Sequence, residues 1–271
     1  MRNKPKIFVD TAIFRYAASV KLVQSAKLQA GTITSKCGER RDATFLVYEN
    51  EVKEIEEADI CLEREKVAIK KIADLACCGS IDLVYSHEVN LELLFQPEVD
   101  LAIGRMMGSP CHIIHSPLLK VTQENFNGND TSEFPFKFWG NDKASAESTI
   151  YEKVENEFFR LPVGCFHSRL NFRSGIVGLR ETQGLKVNAS KLMHPFLMSI
   201  DNIRFQEILK LLNISSVGSD KRNNLYLDAY HLWSAEESNC EYFLTTDRPL
   251  VNQFKGSVTE AIRPTNLVDL L

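Results

Sequence analysis

Short apolar runs and longer amphipathic stretches alternate along the chain. The runs at residues 6–10, 81–85 and 242–245 are largely apolar, which is typical of strands buried on both faces of a sheet. A further strand is predicted at residues 111–115, and the closing AIRPTNLVDLL predicts a last strand or turn and a short helical tail.

Between these runs, apolar residues recur every three or four positions, as they do on one face of a helix. The predicted helices cover residues 11–28, 51–78, 198–213 and 223–238, and residues 29–43 form a polar break. Gly79 is predicted to end the second of these helices, because glycine is common just past a helix C-terminus. Strands that alternate with helices favour an α/β protein with a doubly wound, mostly parallel sheet flanked by helices.

Acidic side chains fall where such a sheet binds its ligands, outside the carboxyl ends of the strands. Asp10 and Asp247 directly follow predicted strands, and Glu92 lies early in the helix after the strand at 81–85. Asp228 lies in the first turns of the helix that precedes the last clear strand. A parallel fold can bring all four carboxylates to one rim.

A group of carboxylates in one place repel one another and raise each other's pKa, which a divalent cation relieves. Oxygen ligands with open water positions suit Mg²⁺ or Mn²⁺, and phosphodiester hydrolysis is then the available chemistry. Each acid also has a structural interpretation: Asp10 and Asp247 as helix or turn caps, Glu92 and Asp228 as solvated helix faces. Glu88, one helical turn before Glu92, is a weaker rival for its role.

Composition narrows the class of protein without naming a function. The chain has 271 residues and a net charge of −4. Its shares of hydrophobic residues, 44%, and of charged residues, 25%, are ordinary for a globular protein. No apolar run approaches the roughly 20 residues of a membrane span, and the first apolar segment reaches Asp10 too soon for a signal peptide. The seven cysteines contain no C-x-x-C pair, so reduced thiols and a cytoplasmic location without membrane association are expected.

One segment is basic. From Arg160 to Lys191 six cations and one anion give a local net charge of +5, with aromatic residues between them. Either this is a solvated basic face, or Arg169, Arg173 and Arg180 contact the phosphates of a nucleic acid.

Four stretches resemble, in chain order, the blocks of PIN-domain nucleases. They are KIFVDTAIF, YSHEVNLELL, LYLDAYHLWSAE and YFLTTDRPLV, each with one of the four acids in place. The family includes the VapC-like toxin ribonucleases and relatives of the flap endonucleases. The resemblance covers about the first 30 residues, 80–95 and 198 onwards, and leaves residues 97–189 unmatched.

The resemblance implies a single PIN-like domain over 1–271 with an insertion or subdomain, mainly helical or irregular, at about 97–189. It implies an Mg²⁺- or Mn²⁺-dependent endonuclease, foremost a ribonuclease, with RNA or DNA as substrate. Asp10, Glu92, Asp228 and Asp247 would be the catalytic and metal-binding acids, and Thr11 and Thr245 the supporting hydroxyls. Toxin-like members imply an antitoxin-like protein partner, and a homodimer stays open.

Other classes of protein fit the sequence less well. A haloacid-dehalogenase-type phosphatase needs a second aspartate at the position of Ala12, and neither a dinucleotide nor a P-loop glycine motif occurs. A zinc site fits the ligand types of Cys111, His112, His115, Cys165 and His167 but no standard spacing. His231 shares a helical face with Asp228 and either flanks the site or packs in the core. The main alternative is a non-catalytic PIN-like scaffold that binds nucleic acid or a protein.

Overall fold

A parallel sheet forms the centre of the computed structural model, which describes residues 4–18, 20–55, 60–86, 88–89, 92–93, 98–99, 105–114, 117, 189–198 and 200–271. The strands are β1 Lys6–Val9, β2 Val20–Thr34, β3 Arg40–Glu54, β4 Asp82–Ser86, β5 Glu98–Val99, β6 Arg105–Met106, β7 Ser109–Pro110, β8 His112–Ile114, β9 Tyr242–Leu244 and β10 Glu260–Ile262. Five of them form the main sheet in the order β10-β9-β1-β4-β8, and every pairing in it is parallel.

The sheet is built around β1, whose apolar residues are fully buried. Phe8 pairs with Val84 of β4 on one side and with Phe243 of β9 on the other. The rings of Phe8 and Phe243 stack with their centroids 5.4 Å apart. A short strand that is apolar at every position suits this place, because both of its faces are covered.

The order of the strands reverses direction next to β1. From β1 the chain moves to β4 and β8 on one side, whereas from β9 it moves to β10 on the other. The crevice at such a switch point lies between the carboxyl ends of β1 and β9, and this is where open α/β sheets bind ligands. Asp10 follows β1 there, and residues 245–247 follow β9.

The helices pack in two groups. They are α1 Thr11–Ala17, α2 Ile60–Cys77, α3 Ala189–Met198, α4 Ile203–Leu211, α5 Ser219–Glu237, α6 Arg248–Gln253 and α7 Pro264–Leu270. In the first group α2 contacts α1 and α7, and in the second α5 contacts α3 and α4. Among the helices described, none is long and apolar enough to cross a bilayer.

The chain after α1 corrects the sequence prediction. Residues 11–28 were predicted as one helix and 29–43 as a polar break, but α1 ends at Ala17. β2 and β3 instead form a long antiparallel ribbon with all fifteen residues of each strand in register, from Val20↔Glu54 to Thr34↔Arg40. The five-residue turn between them, residues 35–39, places Gly38 at φ +86°, which glycine adopts without strain.

Other helix boundaries also differ from the predictions, since the helix predicted at 223–238 spans Ser219–Glu237. Residues 51–54 belong to β3, so α2 begins at Ile60 rather than at 51. Residue 198 ends α3, and the helix predicted at 198–213 begins only at Ile203, because the Asn202 side chain accepts the Phe205 N–H at 3.1 Å and caps α4. The prediction for Gly79 is confirmed: it follows α2 at φ +69°, and its N–H donates to the carbonyl of Ala76.

Part of the unmatched segment 97–189 belongs to the main sheet, because β8 pairs with β4. Arg169, Arg173 and Arg180 lie outside the described residues, as does the rest of the basic segment up to residue 188.

Glu65 ties α2 to the start of α7. Its buried carboxylate accepts the Thr265 N–H at 3.2 Å and pairs with Arg263. We expect Glu65→Ala to lower the free energy of unfolding by about 2–3 kcal/mol, because it leaves Arg263 without its partner. Urea unfolding beside Glu63→Ala, an exposed change on the same helix, measures this difference. A loss equal to that of the control would contradict it.

Candidate active site

Asp10 is a buried carboxylate that does not cap its helix. It occupies the N-cap position of α1 and is 7% exposed, yet its side chain makes no capping hydrogen bond. Its Oδ2 accepts instead from Thr245 Oγ1 at 2.7 Å. Burial, together with the charge of Glu92, raises the pKa of Asp10 to about 6, although His231 and Thr245 oppose the shift. A buried acid without a capping role is typical of functional sites.

Thr245 joins the ends of β1 and β9. It is fully buried; its hydroxyl donates to Asp10 and accepts the N–H of Asp247 at 3.1 Å. Its own N–H donates to the carbonyl of Ile262 on β10. The turn that carries Asp247 is therefore fixed relative to Asp10.

Glu92 is held by two side chains at one oxygen. Its Oε2 accepts from Thr11 Oγ1 at 2.5 Å and lies 3.0 Å from Nε2 of His231. Burial lowers the pKa of the fully buried His231, but the hydrogen bond to Glu92 and the charges of Glu92, Asp10 and Glu88 outweigh it, so that pKa is raised. Glu92 thus joins α1 and α5 at the site.

Glu88, the rival of Glu92, has a different place. It is buried, and its Oε1 accepts from the hydroxyl of Tyr230 at 3.0 Å. It is not among the residues that line the cleft described below. The negative charge of Glu88 contributes to the raised pKa of His231.

Asp228 lies on α5 and is half-buried. Burial raises its pKa well above 3.8, and the charges of Asp10, Glu92 and Asp247 raise it further. The four predicted acids, from four separate stretches of the chain, therefore interact electrostatically as one cluster.

Asp247 both caps a helix and borders the cleft described below. Its Oδ1 accepts the Leu250 N–H at 3.1 Å and so caps α6, whose second residue is Pro249. The residue is exposed and also borders the cleft. A carboxylate has two oxygens, and the cap uses only Oδ1.

One cleft of about 490 Å³ brings these residues together. Its lining includes all four predicted acids and Thr11, and cations from two helices, Arg15 of α1 and Lys221 of α5, border the same space. Thr245 is not among the lining residues, but its hydroxyl bonds to Asp10 and Asp247, which are. The other lining residues are Ala12, Ala189, Ser190, Asn224, Leu225, Leu227 and Thr246.

The carboxylates suit a hard cation by their chemistry and their crowding. Their mutual repulsion, seen in the raised pKa values of Asp10 and Asp228, is what a bound divalent cation would relieve. Among the described residues, no group of three His, Cys, Asp or Glu side chains is arranged to hold an ion as it stands. Asp10, Glu92 and Asp247 each turn one oxygen to a protein donor instead.

The proposed zinc ligands are only partly in view. Cys111 is buried whereas His112, the next residue, is exposed, so their side chains lie in different environments. His115, Cys165 and His167 lie outside the described residues.

The two cations of the cleft were missed by the sequence analysis, although their spacing could have indicated them. Arg15 comes one helical turn after Thr11 on α1, and Lys221 two turns before Asp228 on α5. Residues at such spacings share a helix face.

The chain matches no family model, no curated protein and no solved structure. The resemblance to PIN-domain nucleases therefore depends on the four sequence blocks, and the site on its own geometry.

Proposed function

We propose that the protein is a divalent-metal-dependent nuclease of PIN-like fold that hydrolyses phosphodiester bonds, foremost those of RNA. The observation that supports this most is the convergence of Asp10, Glu92, Asp228 and Asp247 on one cleft at the switch point of a parallel sheet. Capping explains Asp247 in part, but it explains none of the other three.

In this proposal the four acids would hold Mg²⁺ or Mn²⁺, and the bound ion would supply an activated water and stabilisation of charge on the phosphate. Thr11, Thr245 and His231 fix the carboxylates by hydrogen bonds. Arg15 and Lys221 border the same cleft and offer positive charge to the phosphates on either side of the scissile bond.

The substrate, partners and location remain predictions. RNA is favoured over DNA by the sequence resemblance. The antitoxin-like partner, the homodimer and the cytoplasmic location depend on the sequence alone.

Cleavage of labelled RNA and DNA of one sequence, with Mn²⁺, Mg²⁺ or EDTA, tests the proposal. Asp247→Asn is the sharpest variant, since asparagine also caps helices and should keep α6 in place while removing a charge. We expect metal-dependent RNA cleavage by the wild type and a strong loss in this variant. Cleavage that EDTA leaves intact would contradict the proposal, and tight RNA binding without cleavage would favour the scaffold alternative.

Removal of the Lys221 charge is expected to weaken binding of single-stranded RNA uniformly across sequences. If Lys221 contacts one phosphate, Lys221→Ala should reduce the slope of log affinity against log salt by about 0.7. Fluorescence anisotropy in EDTA measures binding without cleavage, and Lys210→Ala on α4, an exposed cation outside the cleft, is the matched control. Equal slopes in both variants would show that Lys221 does not touch the substrate.

A further inference from the structure

Two hydrogen bonds meet on one oxygen of Glu92. Thr11 Oγ1 lies 2.5 Å from Oε2 and His231 Nε2 lies 3.0 Å from the same atom. Among the residues that the structure describes, both partners of Glu92 bond to Oε2 and none bonds to Oε1. The carboxylate can therefore turn little, and Oε1 is the oxygen left for a ligand in the cleft that Glu92 borders.

The chemistry of the contact fixes which atom donates. An ionised carboxylate has only acceptors, so Nε2 of His231 carries the hydrogen. No partner of Nδ1 is found among the described residues, and His231 is fully buried. The imidazole thus makes its one observed side-chain hydrogen bond toward the cleft.

The surroundings keep the imidazole in this orientation. His231 stands on α5 one turn after Asp228, and its ring lies 6.2 Å from that of Phe8 in β1, centroid to centroid. Tyr230, the preceding residue, is anchored by its bond to the buried Glu88. The imidazole, packed against the central strand and next to the Tyr230–Glu88 pair, is therefore a rigid donor. Residues that orient metal-binding carboxylates need such rigidity.

We propose that His231 is a positioning residue: it holds Oε2 of Glu92, together with Thr11, so that Oε1 faces the metal and substrate. This role rests on the proposed function, and it assigns His231 no contact with substrate. It predicts that the hydrogen bond, rather than the volume of the ring, is what the site requires.

The test compares two replacements of His231. Glutamine can place an N–H near the position of Nε2, whereas phenylalanine keeps a ring of similar size and cannot donate. Mn²⁺ titration by calorimetry gives affinity without any substrate, and steady-state RNA cleavage separates kcat from KM. The control is Ser234→Ala, a buried change one turn further along α5. Among the described residues, the Ser234 hydroxyl bonds only to the carbonyl of Tyr230.

We expect His231→Phe to weaken Mn²⁺ binding by about 10-fold or more, which is the usual loss when a residue that supports a metal ligand is removed. The same variant should have a lower kcat with little change in KM. His231→Gln should recover most of both, and Thr11→Val should add less in the His231→Phe background than alone. Equal defects in the glutamine, phenylalanine and Ser234→Ala variants would overturn the positioning role and indicate packing. Normal Mn²⁺ binding by His231→Phe would also overturn it, and a wild type that binds no Mn²⁺ would overturn the metal site itself.

Discussion

Replacing Asp10 with asparagine is expected to lower metal-dependent cleavage by about 10²- to 10³-fold, the loss typical when one group that stabilises the transition-state charge is removed. Asp10 is the most enclosed of the four acids and lies at the end of the central strand. Asparagine has nearly the same shape and can still accept from Thr245, so the change removes charge and leaves the local packing in place.

The same substitution is expected to stabilise the metal-free protein at alkaline pH. The pKa of Asp10 is raised from 3.8 to about 6 in the folded state, so the folded protein binds more protons than the unfolded chain between these values. Stability therefore falls as pH rises through this window, and the loss remains above it. At pH 8 the buried, ionised Asp10 lowers the free energy of unfolding by an amount on the order of 3 kcal/mol, and asparagine avoids this loss. Below about pH 4 Asp10 is protonated in both states, so asparagine should bring no gain.

Urea unfolding in EDTA at pH 8 and pH 4 measures this gain. Asp82→Asn is the matched control, since Asp82 is exposed and begins β4 at the opposite end of the sheet. The account predicts a cleavage defect and a pH-dependent gain in Asp10→Asn and neither in the control. An Asp10→Asn protein that cleaves normally, or that is less stable than the wild type at pH 8, would contradict it.

Divalent cations are expected to stabilise the wild type by about 2.7 kcal/mol when their concentration is 100 times the dissociation constant. The gain should be larger at pH 8 than at pH 5.5, because the pKa of Asp10 is raised to about 6 and that of Asp228 is also raised, which favours their protonated forms at the lower pH. Protonated carboxyl groups are poor ligands, so protons and metal compete for the same oxygens.

Thermal unfolding with and without Mg²⁺ or Mn²⁺ at the two pH values measures this effect. The double variant Asp228→Asn/Asp247→Asn should show no stabilisation by the cation, whereas Asp82→Asn should respond as the wild type does. Equal stabilisation of the double variant would place the cation elsewhere on the protein.

The central strands and the acids at their ends could be predicted because the signals are local. KIFVD, IDLVYS and YFLTTD each combine a short apolar run with a polar residue at its end, and a parallel sheet puts such ends at one edge. Only the structure identifies the switch point, since the order β10-β9-β1-β4-β8 depends on pairings between residues more than 200 positions apart.

The ribbon of β2 and β3 could not be predicted for a related reason. Residues 20–34 contain Ala, Leu, Lys and Gln, which favour helices, and their strand conformation depends on pairing with residues 40–54. Local composition carries no information on that partner. A non-local partner overrode the helical preference here.

The fine structure of the site also exceeds what a sequence contains. The bond between Asp10 and Thr245 joins residues 235 positions apart, and that between Glu92 and His231 joins residues 139 apart. The sequence could name the acids as candidates for the site or as helix caps. Only the fold shows that the Asp247 side chain caps its helix, whereas the Asp10 side chain makes no capping hydrogen bond.

The location of a bound ion tests the central claim most directly. Anomalous diffraction from a crystal soaked in Mn²⁺ should show a peak in the cleft within about 2.0–2.3 Å of a carboxylate oxygen of Asp10 and of at least one other of the four acids. The peak should be absent from crystals of Asp10→Asn soaked in the same way. A wild-type crystal without a peak in the cleft, or with Mn²⁺ bound only elsewhere, would contradict the account.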